Sequence, residues 1–131
     1  MNKTPRMAGN TSLMKLHLRY RLWIAEMNED ITVLRIFDDH LAELAAKKQD
    51  AETTGFVNKS KEQFADFRRQ IDELKHEMHL HKMNIAAFMR DEENARQANA
   101  ADEEHVSLQK RYIDFRERFD KAKQVFAETE Q

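Results

Sequence analysis

Between Asn10 and Gln131 the chain contains one glycine, Gly55, and no proline. A backbone with so few residues suited to tight reversals has to spend most of its length in regular structure. The apolar residues decide which kind. Leu13, Leu16, Tyr20, Trp23, Met27, Leu34, Phe37, Leu41 and Leu44 recur at alternating three- and four-residue steps, and only Asp30 interrupts the series. That spacing keeps one face of a helix turned toward a partner. Val57, Ser60, Phe64, Phe67, Ile71, Leu74, Met78, His81, Ile85 and Phe88 form a second seam. Ala98, Ala101, His105, Leu108, Tyr112, Phe115, Phe119, Ala122 and Phe126 form a third.

Three helices of similar length, joined by short loops, pack up-down-up, because a short loop forces its neighbours antiparallel. The expected fold is therefore all-α: an antiparallel three-helix bundle with coiled-coil-like packing, its helices at about 12–52, 57–93 and 98–128. The competing arrangement keeps helices 2 and 3 continuous, as a rod that intertwines with a second chain.

The boundaries follow from local chemistry. Residues 1–10 hold Pro5 and Gly9 and read as a disordered tail ahead of a single domain, 11–131. Asn10, Thr11 or Ser12 can cap helix 1 through a short side-chain oxygen. Thr53-Thr54-Gly55 is the expected first break, with Gly55 in the left-handed position after a helix. Ser60-Lys61-Glu62-Gln63 has the spacing of a capping box for helix 2. The second break is expected within 91–104, where Asn99 precedes Asp102-Glu103-Glu104, acids favoured in a first turn. Asn28-Glu29-Asp30 is a candidate kink in helix 1.

Charge and composition narrow the function. The net charge is −2, and the segments 11–52, 57–94 and 95–131 each hold eight acids against six, seven and seven bases. None is basic enough to follow a nucleic acid or an anionic membrane. No apolar run approaches the length that spans a bilayer. The absence of cysteine excludes disulfides and thiolate chemistry, and a cytoplasmic location is expected. Residues 1–12 lack the apolar core of a signal peptide.

No catalytic constellation is visible. There is no Gly-rich phosphate loop, no nucleophile elbow and no paired carboxylates focused on a pocket. No cofactor is expected. The densest histidine cluster is His76-Glu77-Met78-His79-Leu80-His81-Lys82-Met83. His76 and His79 lie three apart on one helix face and, with Met83, are the candidate ligands for a loose surface metal site. His81 and His105 occupy seam positions. If the chain folds back near residue 96, His81 faces residue 111 and the two histidines fall in separate layers.

Helix 1 differs from the other two. Met14, Leu18, Leu22, Ala25, Val33 and Ile36 fall opposite its seam, making a second apolar stripe. A helix apolar on both sides is buried on both sides, either deep in its own fold or against another chain. The expected function is non-catalytic: a protein-interaction or scaffold module that forms a homodimer through this stripe, with another helical protein as the other possible partner. A metal- or small-ligand-binding bundle is the alternative.

Overall fold

The computed structural model describes the backbone of residues 4–90 and 95–129, and the side chains of residues 13–87 and 104–129. Three helices make up the described chain: α1 (Thr4–Lys47), α2 (Ala51–Arg90) and α3 (Ala95–Thr129). Interhelical contacts fix their directions. Asp38 meets Arg68 and Asn28 meets Lys75, so α1 and α2 run antiparallel. Glu77 meets Arg111 and Gln70 meets Arg118, so α2 and α3 do too. Tyr20 meets His105 and Asp30 meets Arg116, so α1 and α3 are parallel. The chain is an all-α three-helix bundle, up-down-up. Because α3 lies beside α2 rather than beyond its end, the continuous rod is excluded.

The seams become the core. Leu13, Leu16, Tyr20, Met27, Leu34 and Leu41 of α1 are buried, as are Phe64, Phe67, Ile71, Leu74, Met78 and Ile85 of α2 and Leu108, Tyr112, Phe115, Phe119 and Phe126 of α3. Trp23, Phe37 and Leu44 are half-buried against them, and Ile24, outside the expected seam, is buried as well. Aromatic rings mark three levels. Phe126 packs on Phe37, Phe56 and Phe64 at one end. Phe67, Phe115 and Phe119 meet in the middle. Tyr20, Trp23, His81, His105 and Tyr112 fill the level toward the other end.

Several boundaries differ from expectation. The first break lies at Lys48–Asp50, not at Thr53-Thr54-Gly55. Asp50 decides it. Its Oδ1 accepts a hydrogen bond from the Thr53 amide at 2.7 Å, and its carbonyl accepts from the Thr54 amide at 3.0 Å. It is the N-cap of α2, and its own pKa is lowered by the backbone donor it holds. Residues 53–55 are thereby the first turns of α2. Ser60 is not a cap but a buried position in mid-helix.

Helical backbone also begins at Thr4, inside the segment expected as a disordered tail and ahead of the expected caps Asn10, Thr11 and Ser12. Pro5 fits there, since the first turn of a helix has no acceptor for its missing amide. Residues 1–3 lie outside the described residues. α1 runs without interruption through Asn28-Glu29-Asp30, so no new helix starts there. α3 starts at Ala95 rather than Ala98. The residues between it and α2 lie outside the described ones.

Gly55 yields a direct test. It sits inside α2 without a positive φ, and a Cβ built on it would meet nothing within 4 Å. Glycine in a helix interior costs about 1 kcal/mol relative to alanine. Gly55→Ala is expected to raise stability by about 0.5–1 kcal/mol, read as a higher urea midpoint at unchanged slope. A loss of stability would contradict the helical assignment.

Candidate functional site

Two features exceed what a plain apolar core requires. The first is a polar band inside the bundle. At its upper level the Tyr20 hydroxyl lies between two histidines. It shares a hydrogen bond of 2.9 Å with Nδ1 of buried His105, whose direction follows the imidazole tautomer. Nδ1 of half-buried His81 stands 3.5 Å away, at the long limit for such a bond. Nε2 of His81 reaches 3.6 Å from Glu104. Trp23 stacks on the His105 ring at 6.0 Å and on Tyr112 at 4.9 Å. The two seam histidines are therefore in one layer, not in separate ones. Both meet Tyr20, and the Trp23 indole stacks on His105.

About two turns along α1 from Trp23, Asp30 is the residue that interrupted the α1 seam. It is buried, at 4% exposure, and Arg116 of α3 meets it with both ends of its guanidinium. Nη1 donates to Oδ1 at 3.1 Å and Nη2 to Oδ2 at 2.6 Å. Arg116 Nη2 also donates to the Tyr112 hydroxyl at 2.9 Å, and that hydroxyl donates to Glu26. The guanidinium carbon lies 5.3 Å from the Tyr112 ring centre, and Nε finds no hydrogen-bond partner among the described residues.

Burial pushes the Asp30 carboxyl above its usual range, against the opposing pull of Arg116. Burial would lower the Arg116 pKa, but its hydrogen bonds to Asp30 and Tyr112 more than offset this and hold it raised. The Tyr112 phenol is raised by burial and by its bond to Glu26. This band fixes the axial register of α3 on α1, because a one-turn slip would leave a carboxylate buried without its cation. The exposed pairs Arg69–Asp66 and Arg118–Asp114 each lie within one helix and contribute little.

The second feature is the stripe on the outside of α1. Met14, Leu18, Leu22 and Ile36 are exposed by 64%, 52%, 60% and 57%, so the fold leaves them uncovered. Ala25 is exposed between them. Val33 does not belong to this set. It is half-buried and packs against the core, because the arc that α1 buries is wide enough to reach it. Exposed large apolars on α2 and α3 are sparser: Leu80 and Met83, Val106 and Ile113, and Val125. None forms a run like Met14, Leu18 and Leu22, which rise at steps of one helical turn.

The candidate metal ligands fall on the outer side of α2. His76 and His79 are exposed, and Met83 is exposed by 66%. Desolvation, followed by the charges of Lys82, Lys75 and His76, lowers the proton affinity of His79. Among the described residues, no three His, Cys, Asp or Glu side chains gather in a way that could hold a metal ion. A groove of about 210 Å³ between α2 and α3 is lined by Glu73, Arg111, Asp114 and Arg118. Its cations are already engaged, Arg111 by Glu77 and Arg118 by Asp114 and Gln70. Among the described residues, no helix is long and apolar enough to cross a membrane.

No protein family, curated protein or solved structure matches this chain.

Proposed function

We propose that the protein is a non-catalytic interaction module that forms a homodimer through the outer face of α1. The observation that carries this reading is the exposure of Met14, Leu18, Leu22 and Ile36 on one face of α1, where the exposed large apolars of α2 and α3 are more scattered. Single exposed apolars are ordinary, but four on one helix face, with the small Ala25 between them, form a strip that water hydrates at a cost. The strip points away from α2 and α3, so a second bundle can approach without disturbing the first. Two-fold pairing is the commonest closed arrangement of identical chains. The proposed location is cytoplasmic, in keeping with a chain free of cysteine.

Light scattering at tens of micromolar is expected to give the mass of two 15.6 kDa chains. The double variant Leu18→Glu, Leu22→Glu is expected to give the mass of one, with unchanged helical circular dichroism. Two charges buried in an apolar contact cost more than so small an interface supplies. A wild-type chain that runs as a monomer would overturn the reading, as would a double variant that still runs as a dimer.

A further inference from the structure

Averaged over residues 11–52 the charge is near balance, but along the chain it is not evenly spread. Residues 1–25 carry five bases, Lys3, Arg6, Lys15, Arg19 and Arg21, and no acid. Residues 26–47 carry six acids against Arg35 and Lys47. The change of sign divides the outer face of α1. Met14, Leu18 and Leu22 lie in its basic part, while Ile36 lies in the acidic part, beyond the exposed Glu29. At about 100° per residue, Lys15 and Arg19 fall along one edge of Met14, Leu18 and Leu22, and Arg21 falls along the other. All three bases are exposed. Among the described residues no acid pairs with any of them, so the bundle itself makes no use of these charges.

We infer that the basic part of α1 rests on an anionic lipid surface, with Met14, Leu18 and Leu22 entering the headgroup layer and Lys15, Arg19 and Arg21 meeting the lipid anions. An apolar strip edged by cations is what lets a helix lie in a membrane interface. The long Lys and Arg stems extend the apolar surface sideways, while their charged ends stay at headgroup level. About four or more bases on one amphipathic helix are enough to select anionic headgroups over neutral ones. From Met14 to Leu22 the helix rises only about 12 Å. Over so short a segment a fluid headgroup layer suits the contact, because it moulds to the side chains and needs no matching shape. The contact ends before Glu29, whose carboxylate an anionic surface repels. Among the described residues no helix can cross a membrane, so α1 lies on the surface and the bundle stays folded beside it.

This contact goes beyond the proposed homodimer but shares its apolar residues. The two exclude one another, and an anionic surface draws chains out of the dimer. Three apolar side chains and a few charges make a reversible attachment, which salt weakens. The cytoplasmic leaflet is the anionic one, in keeping with the proposed location.

Cosedimentation with vesicles tests the inference. The chain is expected to bind phosphatidylcholine vesicles that hold about a third phosphatidylserine, and not vesicles of phosphatidylcholine alone. Raising salt from about 0.1 M to about 0.5 M should release it. The triple variant Lys15→Gln, Arg19→Gln, Arg21→Gln should bind about a hundredfold more weakly, from roughly fivefold per base near an anionic surface. It keeps every apolar residue of the strip, so its mass by light scattering reads self-association separately. The lack of cysteine allows one polarity-sensitive dye to be placed at will. On Leu18→Cys its emission should move to the blue with anionic vesicles, and on His76→Cys of α2 it should not. No vesicle binding, or equal binding to both kinds, would overturn the inference and leave the dimer to be decided by mass alone. A shift at 76 without one at 18 would place the contact on another face and overturn it too. Binding to poly-glutamate without binding to vesicles would assign the charges to an acidic protein instead, with the same consequence.

Discussion

Arg116→Met is expected to destabilise the bundle by about 3–5 kcal/mol at neutral pH, the cost of leaving a buried carboxylate without its cation. Asp30 is 4% exposed and takes both of its charged hydrogen bonds from Arg116. Lys123 is the other cation whose charge acts on it, and it acts more weakly. Asp30→Leu alone is expected to cost less. Arg116 keeps Glu26 at 3.6 Å and Asp120 at 3.3 Å, both about half exposed, and its long side chain can swing toward water. The double variant Asp30→Leu, Arg116→Met is expected to recover most of the loss, because removing two buried charges together also removes their desolvation. The unpartnered Arg116 Nε adds to what the wild-type pair costs.

The pH dependence has a definite sign. Asp30 has a folded-state pKa above its ordinary 3.8, mainly through burial. Its stabilising contribution is fully present below 3.8 and is lost as pH rises through the folded value. In Arg116→Met the opposing cation is gone, so the folded pKa rises further and the variant should regain stability as pH falls from 7 toward 5. Urea unfolding of the four proteins, each at two pH values, measures all of this. Single-variant losses that simply add in the double variant would show that the pair is not coupled.

That pair also marks the limit of what the chain's order of residues reveals. Burial is a periodic property of one helix at a time, so the three- and four-residue steps located nearly every core residue. Asp30 stood out as an acid on an apolar seam. Its partner did not, because Arg116 is named only by the axial register of α3 on α1, which no local pattern encodes. The histidines show the same limit numerically. In an antiparallel pair, moving the point of reversal by one residue shifts every cross-helix match by two. A reversal near residue 96 sets His81 opposite residue 111. The observed packing brings His81 and His105 to the same tyrosine, which places the midpoint of the reversal near residue 93.

The first break was displaced for a different reason. Gly55 and Asp50 both carry helix-boundary chemistry within one and a half turns of each other. A cap that satisfies amides outweighs a glycine that is merely tolerated. The outer stripe of α1 was legible except at Val33, where the width of the buried arc decides, and that width depends on how two neighbouring helices sit.

Tyr20 carries the other large effect. It is fully buried and touches Trp23, His81 and His105 together. Tyr20→Ala removes a ring from a three-helix contact and should cost about 3–5 kcal/mol, the range for aromatic truncation in a core. Tyr20→Phe keeps the ring but withdraws the hydroxyl from His105 Nδ1, and should cost about 1–3 kcal/mol. Trp23, the only tryptophan, packs against Tyr20 and reports both transitions by fluorescence. The comparison must be made at one fixed protein concentration, since a dimer stabilises its own folded chains by mass action. A neutral Tyr20→Phe would mean that packing alone aligns the two histidines. The same variant separates core from surface. Tyr20 faces inward between Leu18 and Leu22, which face outward. Tyr20→Phe should therefore weaken the fold while leaving the mass in solution that of two chains. Dissociation at full helicity would show instead that the outer strip takes its shape from the layer beneath it.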